Sequence, residues 1–274
     1  MEVNQEALQN HLMHMLKWFH DFCAENDIRY YALGGTMLGA ARHSGFIPWD
    51  DDIDVGVPRS DYERLRLLIG NREYEGYFFE TPDSHSPEYR YPYGKLYDTR
   101  TTLTEHTWPA LHRGVFIDVF PLDGLGNDEN ESIQHWSSIV KQSNYLWART
   151  CAVRKERSFV KNAAIVVAHL IPRSVAGEKK VLSQMDLKCK TYDFDNCKYG
   201  GNVFGNWGAK EIMPSAIMGH PTLYSFGDLK IYGAERADEY LTHLYGDWRK
   251  LPPVEKRITH HDYLELDLNK PYAL

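Results

Sequence analysis

The sequence predicts an α+β fold: a mixed sheet core with a helical addition. Three observations lead there. Over residues 1–126, short runs of β-branched and aromatic residues alternate with segments of helical apolar spacing. Past Asn127 the spacing turns helical in three successive segments, spanning residues 127–200. Residues 201–274 then mix turns, short strands and one helix near 235–244. No repeat, low-complexity run or Gly/Ser/Pro-rich linker interrupts the chain, so residues 1–274 read as a single domain in these three parts.

Each element has a local reason. Leu8, Leu12, Leu16, Phe19 and Cys23 step by three or four, giving residues 5–26 one apolar helical face. Residues 28–33, IRYYAL, read as a strand, and "GGTMLGAARHSG" as a glycine turn opening a short helix. Residues 52–57 form a second strand. Ser60 and Glu63 make a capping box for the helix "DYERLRLLI". "YEGYFFE", "YPYGKLYD" and "GVFIDVFPLDG" are further strands. "ESIQHWSSIVKQSNYLWARTCAVRKE", "SFVKNAAIVVAHLI" and "AGEKKVLSQMDLKCK" are helices. The AIVVA run is too short to span a bilayer and reads as a buried helix.

Composition excludes several functions. The chain is 43% hydrophobic and 25% charged, as a folded globule is, with a formal net charge of −7 and no basic run. A general nucleic-acid binder is excluded, because phosphate neutralisation needs clustered Lys and Arg. The polar start MEVNQEALQN carries no signal-peptide pattern, and no segment reads as transmembrane. Cys23, Cys151, Cys189 and Cys197 form no C-x-x-C pair and read as reduced thiols of a cytoplasmic protein. A Cys189–Cys197 disulfide is the less favoured alternative. No Cys/His set has zinc-ligand spacing.

The chemistry concentrates in "FIPWDDDIDVGVP", which places Asp50, Asp51, Asp52 and Asp54 within five residues. In a strand, Ile53, Val55 and Val57 point into the core and Asp52 and Asp54 point together to the other face. Two carboxylates roughly 6 Å apart repel by about 3 kcal/mol at an effective dielectric near 20. A divalent cation removes that repulsion, and Mg²⁺ commonly takes one or two carboxylates plus substrate phosphates. A lone D-x-D is often only a solvated turn, but three neighbours argue for a site. Gly34-Gly35 offers backbone N–H groups to phosphate oxygens. "GFIPW" pins the approach to the acids. Asp118 stands alone in the apolar strand "GVFIDVFPLDG" and needs a partner, whether a metal or an arginine.

A glycine turn, two acids on one strand and a third on a later strand resemble the polymerase-beta-like nucleotidyltransferase fold. The resemblance extends further. "GGTMLGAARHSGFIPWDDDIDVGVPRSDYE", "KLYDTRT", "GVFIDVFPLDG" and "YGDWRKLPPVEKRITHH" look like successive motifs of the LicD family, which includes fukutin and fukutin-related protein. They run from about residue 30 to 261, and the helical middle adds little. Membership would imply one catalytic domain: a nucleotidyltransferase-like core, a helical region, and a C-terminal segment returning to the active site. It would imply transfer of a phospho-alcohol, phosphocholine first, from a CDP-alcohol to a sugar hydroxyl. The acceptor would be a cell-surface glycan or a teichoic-acid or lipopolysaccharide precursor, lipid-linked in some cases, and CMP would leave. A cytoplasmic enzyme of this kind can dock on the inner face of the membrane. The alternatives are an NMP transferase of the same fold releasing pyrophosphate, and a non-catalytic nucleotide- or glycan-binding module.

Carried across by motif, Asp52, Asp54 and Asp118 are the expected catalytic and metal carboxylates for Mg²⁺, with Mn²⁺ as a substitute. Asp50 stands behind them. Gly34, Gly35 and Lys95 are expected at the donor phosphates, with Lys256, His260 and His261 as further substrate-binding residues. Adjacent histidines point different ways, so at most one of that pair faces the site. A choline group would suit an aromatic cage, but 18 Tyr and 7 Trp single out no ring.

Overall fold

A mixed sheet carries the acidic motifs. The computed structural model describes residues 4–155, 157–172, 177–259 and 263–272. The sheet runs β1 (Tyr31–Ala32), β2 (Asp54–Pro58), β8 (Phe116–Gly126), β5 (Gly94–Asp98), β4 (Tyr77–Glu80) and β3 (Glu73–Tyr74), side by side in that order. β2 and β8 are parallel, and the other neighbours are antiparallel. With helices covering it, this is the expected α+β architecture.

β8 is central because its sequence is apolar on both faces, and every residue from Phe116 to Gly126 is buried. Its two carboxylates each meet a cation. Asp123 accepts from Arg59 Nε at 2.6 Å and Nη2 at 2.9 Å, which ties α3 (Arg59–Ile69) to the sheet. That pair also displaces the expected capping box. The helix starts at Arg59 with Pro58 at its N-cap and no side-chain cap. Glu63 accepts from Arg59 and Arg66, while Ser60 Oγ meets Arg29 and Asp195. Two ion-pair networks outcompete one local hydrogen bond.

α1 (Gln5–Glu25) packs with the predicted face inward, burying Leu8, Leu12, Met15, Leu16, Phe19, Phe22 and Cys23. β1 is shorter than the predicted 28–33. β2 begins at Asp54 rather than at residue 52, so Asp52 belongs to the loop leading into it. The apolar half of that reading holds: Ile53, Val55 and Val57 are fully buried. α2 (Gly34–His43) opens on the glycine pair as expected.

α4 (Glu129–Thr150) and α6 (Glu178–Cys189) enclose a second core of Leu125, Ile139, Leu146, Leu182, Met185 and Cys189. Between them, α5 (Phe159–Leu170) departs from expectation. The AIVVA run is expected to be buried, yet Ile165 is the helix's one buried residue. Polar contacts seat the inner side: Asn162 donates to the Arg154 and Arg157 carbonyls, and Arg149 donates to the Ala168 carbonyl. The apolar side is left facing outward.

Several short strands complete the fold, those past residue 201 in the segment expected to hold short strands. β6 (Thr102–Glu105) pairs with β7 (Leu111–Arg113) and with β13 (Tyr263–Asp267), which brings the C-terminal segment back across the chain. β9 (Tyr199–Asn202) joins β8 and β10 (Met213–Pro214), and β11 (Thr222–Phe226) pairs with β12 (Leu229–Gly233). α7 (Ala237–Tyr245) is the expected late helix. All four cysteines are free thiols, so Cys189 and Cys197 are not bonded. Among the described residues no helix is long and apolar enough to cross a membrane.

Candidate active site

Strand register assembles the site. Asp54 on β2 stands opposite Asp118 on β8, and Asp118 stands opposite Lys95 on β5. Three charged residues distant in sequence therefore form one row across three adjacent strands. Thr36 Oγ1 accepts from the Asp54 backbone N–H at 2.9 Å and fixes the start of β2 against α2.

The preceding loop is held from below by α1. Gln9 Nε2 donates to the Asp50 carbonyl at 2.7 Å, and Gln5 Nε2 donates to the same carbonyl at 3.1 Å and to that of Pro48 at 3.0 Å. With its backbone clamped, the loop gathers ligating oxygens of Asp50, Asp51 and Asp52 within 4.8 Å of one another. The tight trio is thus Asp50–Asp52, with Asp54 and Asp118 alongside it. Asp50, expected to stand behind the metal carboxylates, is part of that trio.

Burial pushes the Asp54 carboxyl well above its usual range, and Asp52, Asp118 and Asp50 add to the rise. Burial also pushes Asp118 up to about 6, with Lys95 opposing and Glu105 reinforcing the shift. Lys95 Nζ lies 3.0 Å from Asp118 Oδ1 and 3.3 Å from Glu105 Oε2. The buried Asp118 Oδ1 is held by this ion pair without a hydrogen bond of full geometry. A loop of three close carboxylates, an adjacent carboxylate that resists ionising and a buried oxygen with a free lone pair fit one group well. That group is a hard divalent cation with oxygen ligands.

Lys95 does not sit where a phosphate contact was expected. It is 2% exposed, beneath the site, between two carboxylates and against the Phe116 and Tyr91 rings. It is the protein partner that Asp118 needed. The glycine pair does lie at the acids. Gly34 takes a left-handed φ of +48° with Asp54 beside it, and its N–H donates to Tyr240 Oη at 3.0 Å. A side chain on Gly35 would meet the Asp50 carboxylate at 2.7 Å, so glycine lets that carboxylate close on the start of α2.

Asp50, Asp52 and Asp54 open into a cleft of about 920 Å³. Among the described residues its cations are Arg42, Lys250 and Lys256. Gly35, Leu38 and Arg42 share one face of α2 by their three-and-four spacing, a signal that could have placed Arg42 here. Gln5, Gln9 and Lys250 had no comparable signal. His260 and His261 lie outside the described residues.

The cleft also holds a carboxylate that the sequence reading missed. Glu211 is 5% exposed, and burial pushes it up to about 7. Its Oε1 accepts the Trp207 backbone N–H at 3.3 Å. Among the described residues no cation pairs with it. Gly205 leaves the space it occupies, since a side chain there would meet Oε1 at 2.0 Å. The Trp207 and Tyr245 rings meet edge-on nearby, with centroids 4.7 Å apart. Burial raises the Tyr245 hydroxyl, and Asp54 and then Glu211 add to the rise.

Comparison with known proteins agrees with this geometry. The family model described as "LicD/FKTN/FKRP, nucleotidyltransferase domain" matches residues 27–154, which include all the acids of the loop and both strands. The chain is 31% identical over 254 residues to the lipopolysaccharide cholinephosphotransferase LicD of Haemophilus influenzae, covering 91% of this chain and 92% of that protein. It is 32% identical over 95 residues to the human ribitol 5-phosphate transferase FKRP, covering 30% of this chain and 19% of that protein. An uncharacterised Rickettsia prowazekii protein, RP689, is 39% identical over 66 residues, or 24% of this chain and 25% of its own. With the acids in register across β2 and β8 and a relative matched almost end to end, the chain belongs to the LicD family.

Proposed function

We propose that this chain is a phosphotransferase that moves phosphocholine from CDP-choline onto a sugar hydroxyl of a cell-surface glycan precursor. Phospho-alcohol transfer is supported by the names of its relatives, one a cholinephosphotransferase and another a ribitol phosphate transferase. One observation favours a cationic alcohol: the buried Glu211, which pairs with no cation among the described residues, beside the Trp207 and Tyr245 rings in the cleft of the acids. A quaternary ammonium is drawn to aromatic faces and to a carboxylate, whereas a neutral polyol would leave that carboxylate uncompensated.

Asp52, Asp54 and Asp118 would hold Mg²⁺, with Asp50 and Asp51 close by, and the bound ion would neutralise the donor's diphosphate. Arg42, Lys250 and Lys256 face the same cleft and can take the remaining phosphate charge. The sugar hydroxyl oxygen attacks the phosphorus on the choline side. The new O–P bond forms as the bond to the CMP oxygen breaks in line. Asp118, which lies in register with Asp54 on the neighbouring strand, would take the hydroxyl proton. Positioning and charge neutralisation supply most of the rate.

The test is a donor screen with a defined glycan acceptor. CDP-choline, CDP-ribitol and CDP-glycerol are compared for CMP release, and the acceptor is weighed by mass spectrometry. The expected product gains phosphocholine and no nucleoside. A nucleotidylated acceptor, with pyrophosphate released from CTP, overturns the proposal.

A further inference from the structure

We propose that α5 is a membrane-docking helix whose outward apolar arc seats in the surface of an anionic bilayer. Placed at 100° per residue, Phe159, Val160, Val166, Val167 and Leu170 fall within an arc of roughly 120°. All five are exposed, Phe159 at 86% and Leu170 at 75%. An amphipathic helix of a globule turns such an arc inward. Here the inner side is held by Asn162 and the Ala168 carbonyl, with His169 stacked on Trp108. The outward arc is thus part of how the helix is seated. Val153, Trp147 and Ile171, close to the helix in the chain, are exposed as well.

Charge selects the occupant. Between Glu131 and Glu178 the sequence contains one acidic residue, Glu156, and seven Lys or Arg, in a chain of net charge −7. Arg149 is taken up by Glu178, but Lys155 and Lys161 are exposed at the near end of the helix, and Arg157 lies over Trp147. A second copy of this acidic chain offers an apolar face no such complement along its length. Anionic headgroups answer the cations while the acyl boundary accepts the apolar arc. The helix has 12 residues, about 18 Å at 1.5 Å each, so it lies in the interface and does not span. The inference stands apart from the identity of the donor, because it uses none of the cleft residues.

Co-sedimentation of the full chain with vesicles tests it. Phosphatidylglycerol-containing vesicles should bind at least tenfold more tightly than phosphatidylcholine vesicles, and the difference should shrink in high salt. The triple variant Phe159→Ser, Val167→Ser, Leu170→Ser should lose at least tenfold in binding. Its circular dichroism and its CMP release with a soluble acceptor should be unchanged. Brominated lipid should quench tryptophan fluorescence in the wild type, through Trp108 and Trp147, and much less in the variant. Equal vesicle binding by both proteins overturns the proposal. So does a wild type that ignores vesicles, or one that self-associates in sedimentation equilibrium through this face.

Discussion

Replacing Glu211 by Gln isolates the cost of one buried charge. Its carboxyl moves from an ordinary 4.5 to about 7 on folding, chiefly through burial. The sign follows from which state holds the proton. Below pH 4.5 both the folded and unfolded chains keep it, and nothing is lost. Between 4.5 and about 7 the unfolded chain releases it first, so stability falls as pH rises. Above about 7 the folded chain carries the whole difference, about 3 kcal/mol. Glutamine fills the same space and never ionises. The variant should therefore gain up to about 3 kcal/mol over the wild type at pH 8 and lose most of that advantage by pH 5. Urea unfolding at the two pH values measures it. If the proposed phosphocholine transfer is right, choline supplies the missing cation and should stabilise the wild type more at pH 8 than at pH 5, and the variant at neither. A wild type and variant separated by the same amount at both pH values would refute the buried-charge argument. Unchanged CDP-choline binding in the variant would refute its link to the alcohol.

Asp52→Asn and Asp54→Asn should each remove nearly all turnover while keeping the wild-type fold by circular dichroism, because the buried Ile53, Val55 and Val57 are untouched; near-normal turnover rejects the metal assignment. Mg²⁺ should raise the melting temperature of the wild type and raise that of Asp118→Asn much less, by calorimetry. Lys95→Met leaves Asp118 and Glu105 facing each other with no cation, and should cost about 3–5 kcal/mol in urea unfolding; a stable variant with weakened CDP-choline binding would return Lys95 to the phosphate. Gln9→Ala removes the 2.7 Å donor to the Asp50 carbonyl, and Mg²⁺ affinity should fall severalfold by calorimetry with little change in melting.

Local pattern determined much of this molecule. The helical face of α1, the glycine opening of α2 and the burial of Ile53, Val55 and Val57 follow from spacings of two, three or four residues. Such spacings act within one element and need no partner to be read. The acids of "DDDID" and Asp118 were legible for a related reason: a charge amid β-branched residues conflicts with its surroundings wherever the strand packs.

Tertiary structure decided what required two distant segments to meet. Only the register of β2, β8 and β5 puts Lys95 against Asp118, which turned an expected phosphate ligand into a buried counter-ion. Gln9 looks like any polar residue on a surface helix until the fold lays Asp50 over it. Arg59 broke a capping box because its partner, Asp123, comes from a strand far along the chain. Glu211 carries no sequence signal, since only packing shows that a carboxylate is buried without a cation. α5 reversed its reading for the same reason. An apolar arc states that a helix has two sides, and the contacts made by its polar side settle which of them faces out.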